Sequence, residues 1–476
     1  MFKSRALASW LLFSAFAAVV LLVKLPTLNV PPYWDEMGWF DCARWLSEVN
    51  LLRVIPGLRP PHAFWGHPPG FHFTLAALAK IFGFSIPLAH LITAVFAALG
   101  IYFVYLLGRE LYDSAVGLLA AGLLLISPIY FTQAGMFLAD LPVAAMGVGA
   151  VYFALRRRLI PYLCCAISMV FLKETGIAVI MAWLIYRVVT TRPKSKNEWV
   201  ELAYYTIPLA LIGMFFVLQK LTTGKFVFIY PVGLHFDLFQ LNSGAALRHA
   251  KEITLWIFIH QYRFLLSSVI ALSLIVKRDF RAEFLLFLLV CLFSGYSFTV
   301  MYFLARYLLP VLPFFYLLAA WALLNLFKSV TGKLLSAGTA VALMTFALFT
   351  QPFIGNAEFS PRYLDAVRAN QEMAKFIEGA FPHAQILTLW PHNTELNLPA
   401  MGYVKTKLNV PWVSMNEAAV SWDPRQIEHT DLMYVTVTPP SLSMAELTKI
   451  APESRWKLIH TVVHGPVRNE LYQRSR

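Results

Sequence analysis

The stretch Ala6–Val23, ALASWLLFSAFAAVVLLV, runs eighteen residues without a charge. That is about the length a helix needs to cross the roughly 30 Å hydrocarbon core of a bilayer. Lys3 and Arg5 precede it, as in a secretory leader, but no small-residue cleavage site follows and more apolar segments do. It reads as an uncleaved first span. The rest of the chain has the same character. Of 476 residues, 58% are hydrophobic and 14% charged, against about 45–50% and about 25% in an ordinary soluble domain. The excess lies in long runs, which makes this an integral membrane protein.

Working outward, apolar segments fall at about 7–25, 88–107, 115–131, 140–155, 159–172, 174–189, 202–220, 254–276, 283–303, 308–327 and 334–351. The segment from Pro68-Pro69 to Phe82 is apolar but short, which suits an interfacial or re-entrant helix better than a crossing one. Charge tests this choice. With a cytoplasmic N-terminus and no crossing there, Arg109, Arg156-Arg157-Arg158, Arg187 to Lys196, Lys277-Arg278-Arg281 and Lys328 with Lys333 all fall inside. A crossing would move those loops outside, against the positive-inside bias. Eleven spans follow, with the C-terminus outside. The same bias accounts for the net charge of +13 without nucleic acid, for which no clustered basic face or reader motif is present. Cys42, Cys164, Cys165 and Cys291 form neither a disulfide framework nor a zinc pattern.

Four outer regions result. The first loop, about 26–87, contains a stretch in which Trp39, Phe40, Ala43, Leu46 and Val49 share one helical face, fit for lying along the interface. A short loop lies near 132–140. A longer one spans about 221–253, with turn signals at Thr222-Thr223-Gly224-Lys225 and Asn242-Ser243-Gly244. Residues 352–476 are more polar and read as a small α/β extracytoplasmic domain behind a membrane domain of residues 1–351. Within it Ala384–Trp390 and Asp431–Thr438 read as strands and Arg362–Glu378 as a helix.

Chemistry-bearing residues gather on the outer side. Trp34-Asp35-Glu36 places two acids beside hydrocarbon, where ionisable groups are expensive. A base acting on a hydroxyl or amine would justify them, and so would a solvated loop turn. His67-Pro68-Pro69-Gly70 fixes the chain before a helix start. Asp140, before Pro142, serves either as a helix cap or as a second functional acid. Lys173 beside Glu174, and Arg306-Tyr307, are basic positions that run against the positive-inside trend. A lipid-linked phosphate would compensate them, as would a neighbouring charge or snorkelling to the interface. Arg263 and His260 are similar, weaker candidates.

This ordered set resembles the GT-C glycosyltransferases. More narrowly, it resembles the bacterial branch related to protein O-mannosyltransferases and the aminoarabinose transferase of lipid A. The motifs are the acidic pair, His-Pro-Pro, the acid entering a later span, the Lys between two spans, and Arg306-Tyr307-Leu308-Leu309-Pro310-Val311-Leu312-Pro313. The likeness covers roughly residues 1–330; the C-terminal domain matches nothing in it. It implies a polytopic α-helical membrane protein of GT-C type with interfacial helices in the first outer loop. It also implies an inverting transferase that takes a sugar from a polyprenyl-phosphate donor to an extracytoplasmic acceptor. By the resemblance Asp35 matches the general base and Glu36 the neighbour that shapes the site. Asp140 corresponds to the second acid, which helps orient substrates, and His67 falls on the His-Pro-Pro. Lys173 and Arg306 match basic positions near the donor phosphate. Two departures stand out: Gly70 where many members carry Leu, and Glu174 where several carry an uncharged residue.

The expected mechanism has the donor's prenyl chain between spans and its phosphate on Lys173 and Arg306, with Glu174, Arg263 and Tyr307 also in the substrate site. The reading requires these acids and bases to face one chamber away from the cytosol. The expected partners are the lipid-linked donor, a membrane-associated or secreted acceptor (lipid A, envelope glycan or protein) and the bilayer of the inner membrane. No cofactor is demanded by spacing, and a divalent metal at Asp35 and Asp140 is left open. No Walker loop or dinucleotide fingerprint occurs. The alternative is a transporter or lipid-linked-sugar flippase with Asp140 and Arg306 lining a pathway, against which stands the lack of an internal repeat.

Overall fold

A computed structural model describes residues 2–59, 63–191, 195–224, 226, 243–299, 304–350, 358–410, 415–416, 419–420, 429–438 and 456–475. The apolar region forms helices α1 Phe2–Lys24, α2 Asp35–Glu48, α3 Gly70–Phe82, α4 Ile86–Leu111, α5 Ser114–Ile126, α6 Pro128–Gln133, α7 Asp140–Leu155 and α8 Leu159–Leu172. It continues with α9 Ile177–Thr191, α10 Lys196–Thr223, α11 Ser243–Thr254, α12 Arg263–Val276, α13 Phe280–Thr299, α14 Leu312–Leu326 and α15 Val330–Thr350. The chain divides into two compact units. One comprises residues 1–28 and most of 42–350; the other takes in Asn29–Asp41 and the chain from Gln351 onward.

In the first unit, among the described residues, five helices are long and apolar enough to cross a bilayer. They lie at Trp10–Thr27, Ile86–Leu111, Lys196–Thr223, Phe280–Ser297 and Val330–Thr350. A sixth candidate is the pair Leu247–Ile259 and Arg263–Val276, bent by 85°. The chain is therefore a multi-pass, mainly helical membrane protein. The count of eleven spans stays an expectation. Helices α5, α7, α8 and α14, counted among them, have only 13 to 16 residues, or about 20–24 Å at about 1.5 Å per residue.

The packing explains why these sequences fold this way. Helix α7 is apolar on every side and almost wholly buried, packed between α4 and α8. Helices α4 and α5 approach backbone to backbone: a Cβ on Gly117 would lie 2.5 Å from the Tyr105 carbonyl oxygen. Lipid offers no hydrophobic drive for association, so such close small-residue contacts carry helix packing in membranes. On α2, Leu46 packs with Phe64 and Ala76, flanked by Cys42, Trp45 and Val49, so protein covers the apolar face seen in the sequence. Lys80 caps the end of that helix, donating to the Ser47 and Val49 carbonyls at 2.9 and 3.0 Å.

The outer loop expected over 221–253 lies mostly outside the described residues. Its last part is α11, a polar helix where the apolar-segment reading places loop. The span expected over 254–276 is broken, because Gln261 and Tyr262 both adopt positive φ, 59° and 60°, just before α12 begins. Such conformations are costly for residues with a Cβ.

The second unit contains α16 Tyr363–Ala380, β1 Ile386–Leu387, α17 His392–Asn397, β2 Met415–Asn416, β3 Ala419–Val420, β4 Leu432–Thr438, β5 Trp456–His464 and β6 Val467–Arg474. Among the described residues four strands form a mixed sheet in the order β1-β4-β6-β5, with β1 parallel to β4 and the remaining pairs antiparallel. Helix α16 packs on β5 and β6. The helix and two strands read from sequence correspond to α16, β1 and β4. The β5–β6 hairpin, turning at Gly465-Pro466, was not anticipated.

Candidate active site

In the first unit, three loop-to-helix junctions bring charge together. Asp140 is the first residue of α7, with Ala139 in the cap position, and is 2% exposed. Its carboxylate serves two cations. Lys173, in the extended link after α8, donates from Nζ to Oδ1 at 2.6 Å. Arg306, in a short 3-10 turn at Ala305–Leu308, brings Nε to 3.2 Å from Oδ2. Capping therefore does not account for Asp140; a buried ion cluster does. The Tyr307 ring lies 4.4 Å from Lys173 Nζ and 5.5 Å from the Arg306 guanidinium carbon, adding cation–π contacts. Lys173, Arg306 and Asp140 together carry one net positive charge. Glu174, next to Lys173, adds a second carboxylate, whose Oε2 lies 2.9 Å from His67 Nδ1.

Glycine 70 makes this second pair attainable. A Cβ there would lie 2.5 Å from the Phe171 carbonyl oxygen, so α3 starts directly against the end of the α8 backbone. Leu would not fit, which gives a physical reason for Gly at this position. Tyr296 on α13 completes the surroundings, donating to the Thr175 carbonyl at 3.2 Å. Thus Asp140, Lys173, Glu174, His67, Arg306 and Tyr307 are brought together within one unit. Arg263 is fully buried at the start of α12 and contacts the Tyr316 hydroxyl at 3.3 Å, while His260 is exposed beside the Trp256 ring.

Asp35 and Glu36 belong to the second unit and open α2. They differ in environment. Glu36 is 1% exposed and accepts the Tyr33 N–H at 3.0 Å, while its own N–H reaches the Tyr33 carbonyl at 3.1 Å. That reciprocal bonding locks the helix start, much as a capping box does. Asp35, next to it, is partly exposed. Sequence reasoning missed the groups that hold this segment. The Tyr403 hydroxyl donates to the Pro32 carbonyl at 3.1 Å across 371 residues, and the Tyr363 ring lies 5.9 Å from that of Tyr33. Burial first, then the Glu395 charge, raises the Tyr33 and Tyr403 phenols well above their usual range, so both stay protonated. Nothing in the sequence around Tyr363 or Tyr403 marks them.

Among the described residues, no group of three or more His, Cys, Asp or Glu side chains is placed to hold a metal ion. Both Asp140 oxygens face cations, so this carboxylate does not suit a divalent ion.

The fold is that of solved GT-C glycosyltransferases, as the resemblance implied for the membrane part. Residues 66–217 match the family model of dolichyl-phosphate-mannose-protein mannosyltransferases. The structure is similar to that of ArnT from Cupriavidus metallidurans bound to undecaprenyl phosphate. Identity is 14% and TM-score 0.61, over 96% of this chain and 97% of that one. The apo form of the same protein gives 15% and 0.60, over 98% of each. The Archaeoglobus fulgidus oligosaccharyltransferase, in complex with Zn and sulfate, gives 13% and 0.51, over 88% of this chain and 67% of that one. No curated protein matches the chain in sequence.

Proposed function

We propose that this protein moves a single sugar from a polyprenyl-phosphate carrier to an acceptor at the extracytoplasmic face of the inner membrane. The observation that carries the proposal is the Lys173–Asp140–Arg306 cluster. Two buried cations held side by side by one carboxylate present donors suited to a phosphate ester. The ArnT likeness, with its bound undecaprenyl phosphate, supports a polyprenyl carrier.

In this reading Asp35 takes the proton from the acceptor hydroxyl or amine as that atom attacks the anomeric carbon. The bond to the carrier oxygen breaks, and the polyprenyl phosphate leaves with its charge held by Lys173 and Arg306. One in-line displacement inverts the anomeric centre and needs no covalent sugar–enzyme intermediate. Glu36 holds the start of α2. Asp140 is an organiser of the two cations, and His67 with Glu174 fixes the link beside them. Arg263 and Tyr307 are assigned to the donor side. No step is routed through a metal. Residues 352–476 are taken as an extracytoplasmic domain.

The acceptor is lipid A, another envelope glycan or a protein. Mass analysis of envelope glycolipids and glycoproteins, with and without the gene, tests the reading. Loss of one sugar from one acceptor class is expected. The same loss with lipid-linked sugar confined to the cytoplasmic leaflet would point to a flippase, and an unchanged acceptor profile would contradict the reading.

A further inference from the structure

The second unit contains a closed ring of buried polar side chains that the proposed chemistry does not use. Asn370 on α16 donates to Glu395 Oε1 at 2.8 Å, and Glu395 Oε2 pairs with His392 Nδ1 at 2.8 Å. His392 Nε2 meets the Thr436 hydroxyl at 2.8 Å, which donates to Asn469 at 2.6 Å. Asn469 closes the ring on Asn370 at 2.8 Å and also reaches the Tyr434 hydroxyl at 3.0 Å. All but the rim of Thr436 is buried. Satisfied networks of this kind are rigid, and broken ones leave costly unpaired groups.

The ring's position gives it a task. It ties α16 to α17, and these two helices lead to the groups that grip the acid-bearing segment. Helix α16 begins with Tyr363, whose ring faces Tyr33. Helix α17 holds the 402–410 loop: Asn397 donates to the Val410 carbonyl at 3.0 Å, and the Leu408 N–H reaches the Leu396 carbonyl at 3.0 Å. That loop carries Tyr403, whose hydroxyl holds Pro32. Pro32, Tyr33 and Trp34 run straight into Asp35.

We infer that the C-terminal unit is a positioning device for Asp35, with Tyr403 as its contact and the Asn370–Glu395–His392–Thr436–Asn469 ring as its anchor. This rests on the reading of Asp35 as the base. Tyr403 and Thr436 are positioning residues; neither touches the reacting atoms. Small displacements of a base slow proton transfer steeply while leaving donor binding intact.

The test uses the full chain in nanodiscs and a panel of synthetic undecaprenyl-phosphate pentoses and hexoses, taking the donor the wild type consumes. Tyr403→Phe removes one hydroxyl. It is expected to lower kcat roughly tenfold to a hundredfold with donor KM unchanged and the chain still folded. Hydrogen exchange should quicken at the Glu36 and Met37 amides, which now bond to the Tyr33 and Trp34 carbonyls. Added to Asp35→Asn, it should cost nothing further, since a misplaced base and a missing one are the same defect. Thr436→Val opens the ring without touching Tyr403 and should reproduce both changes, with Thr436→Ser restoring them. Wild-type kcat and exchange in Tyr403→Phe and Thr436→Val, beside an inactive Asp35→Asn, overturn the positioning role and leave the base reading intact. Full turnover in Asp35→Asn overturns both.

Discussion

Lys173 and Asp140 are joined by a buried ion pair, Nζ to Oδ1 at 2.6 Å, between the end of α8 and the start of α7. Arg306 takes the other carboxylate oxygen. A carboxylate so engaged is poorly suited to accept a proton from substrate. Its evident work is to hold two cations side by side that would otherwise repel each other in a dry site.

The cost of removing it follows from that role. Asp140→Ala takes the shared carboxylate from two buried cations, and breaking a buried pair in this way typically costs about 3–5 kcal/mol. Lys173→Met leaves Asp140 still paired with Arg306 and is expected to cost less. Thermal unfolding of the two variants in detergent measures the difference. Equal stability in both would mean that Asp140 is not the organiser.

Gly70→Ala tests the junction between α3 and α8. The new Cβ would meet the Phe171 carbonyl oxygen at 2.5 Å and its carbon at 2.8 Å, neither of which is a flexible side-chain end. Overpacking of this kind costs about 1–3 kcal/mol. The helix must move away, drawing His67 from Glu174, so transfer should fall along with the thermal midpoint. A crystal or cryo-EM structure of the variant would show the separation directly.

A pH effect is expected in the second unit. Glu378 accepts the Thr406 and Lys405 N–H groups at 2.7 and 2.8 Å and the Thr406 hydroxyl at 2.9 Å. Burial pushes its carboxyl up, but these bonds outweigh burial and hold it below the ordinary value of 4.5. A lowered folded value means the ionised form favours folding. The contribution is complete above that ordinary value and is lost as pH falls through the folded one. Hydrogen exchange at Lys405 and Thr406 should therefore rise, beyond its intrinsic pH trend, at acid pH. Glu378→Gln should show the raised exchange already at neutral pH.

Much of the charged cluster was legible in the sequence. Asp140, Lys173 and Arg306 announce themselves because charge amid apolar residues needs a reason. What they do to one another was not legible, since Asp140 read equally as a cap and Lys173 as a partner of its neighbour Glu174. Both alternatives are local, whereas the actual pairings join residues 33, 107 and 166 positions apart. The hold on the Asp35 segment was invisible for the same reason, carried further. Tyr403, Asn370 and Thr436 are ordinary residues in a polar domain, and only the fold makes neighbours of them. Helix α11 escapes a search for long apolar runs because half of it is polar, and β5–β6 escape because no apolar alternation marks them.

The most direct test of the central claim is release of polyprenyl phosphate from a defined lipid-linked sugar by purified protein with an acceptor present. The wild type should release the carrier as it glycosylates the acceptor with inverted stereochemistry. Asp35→Asn should insert and fold normally yet turn over at least roughly a hundredfold more slowly. Equal rates for the two proteins would contradict the account.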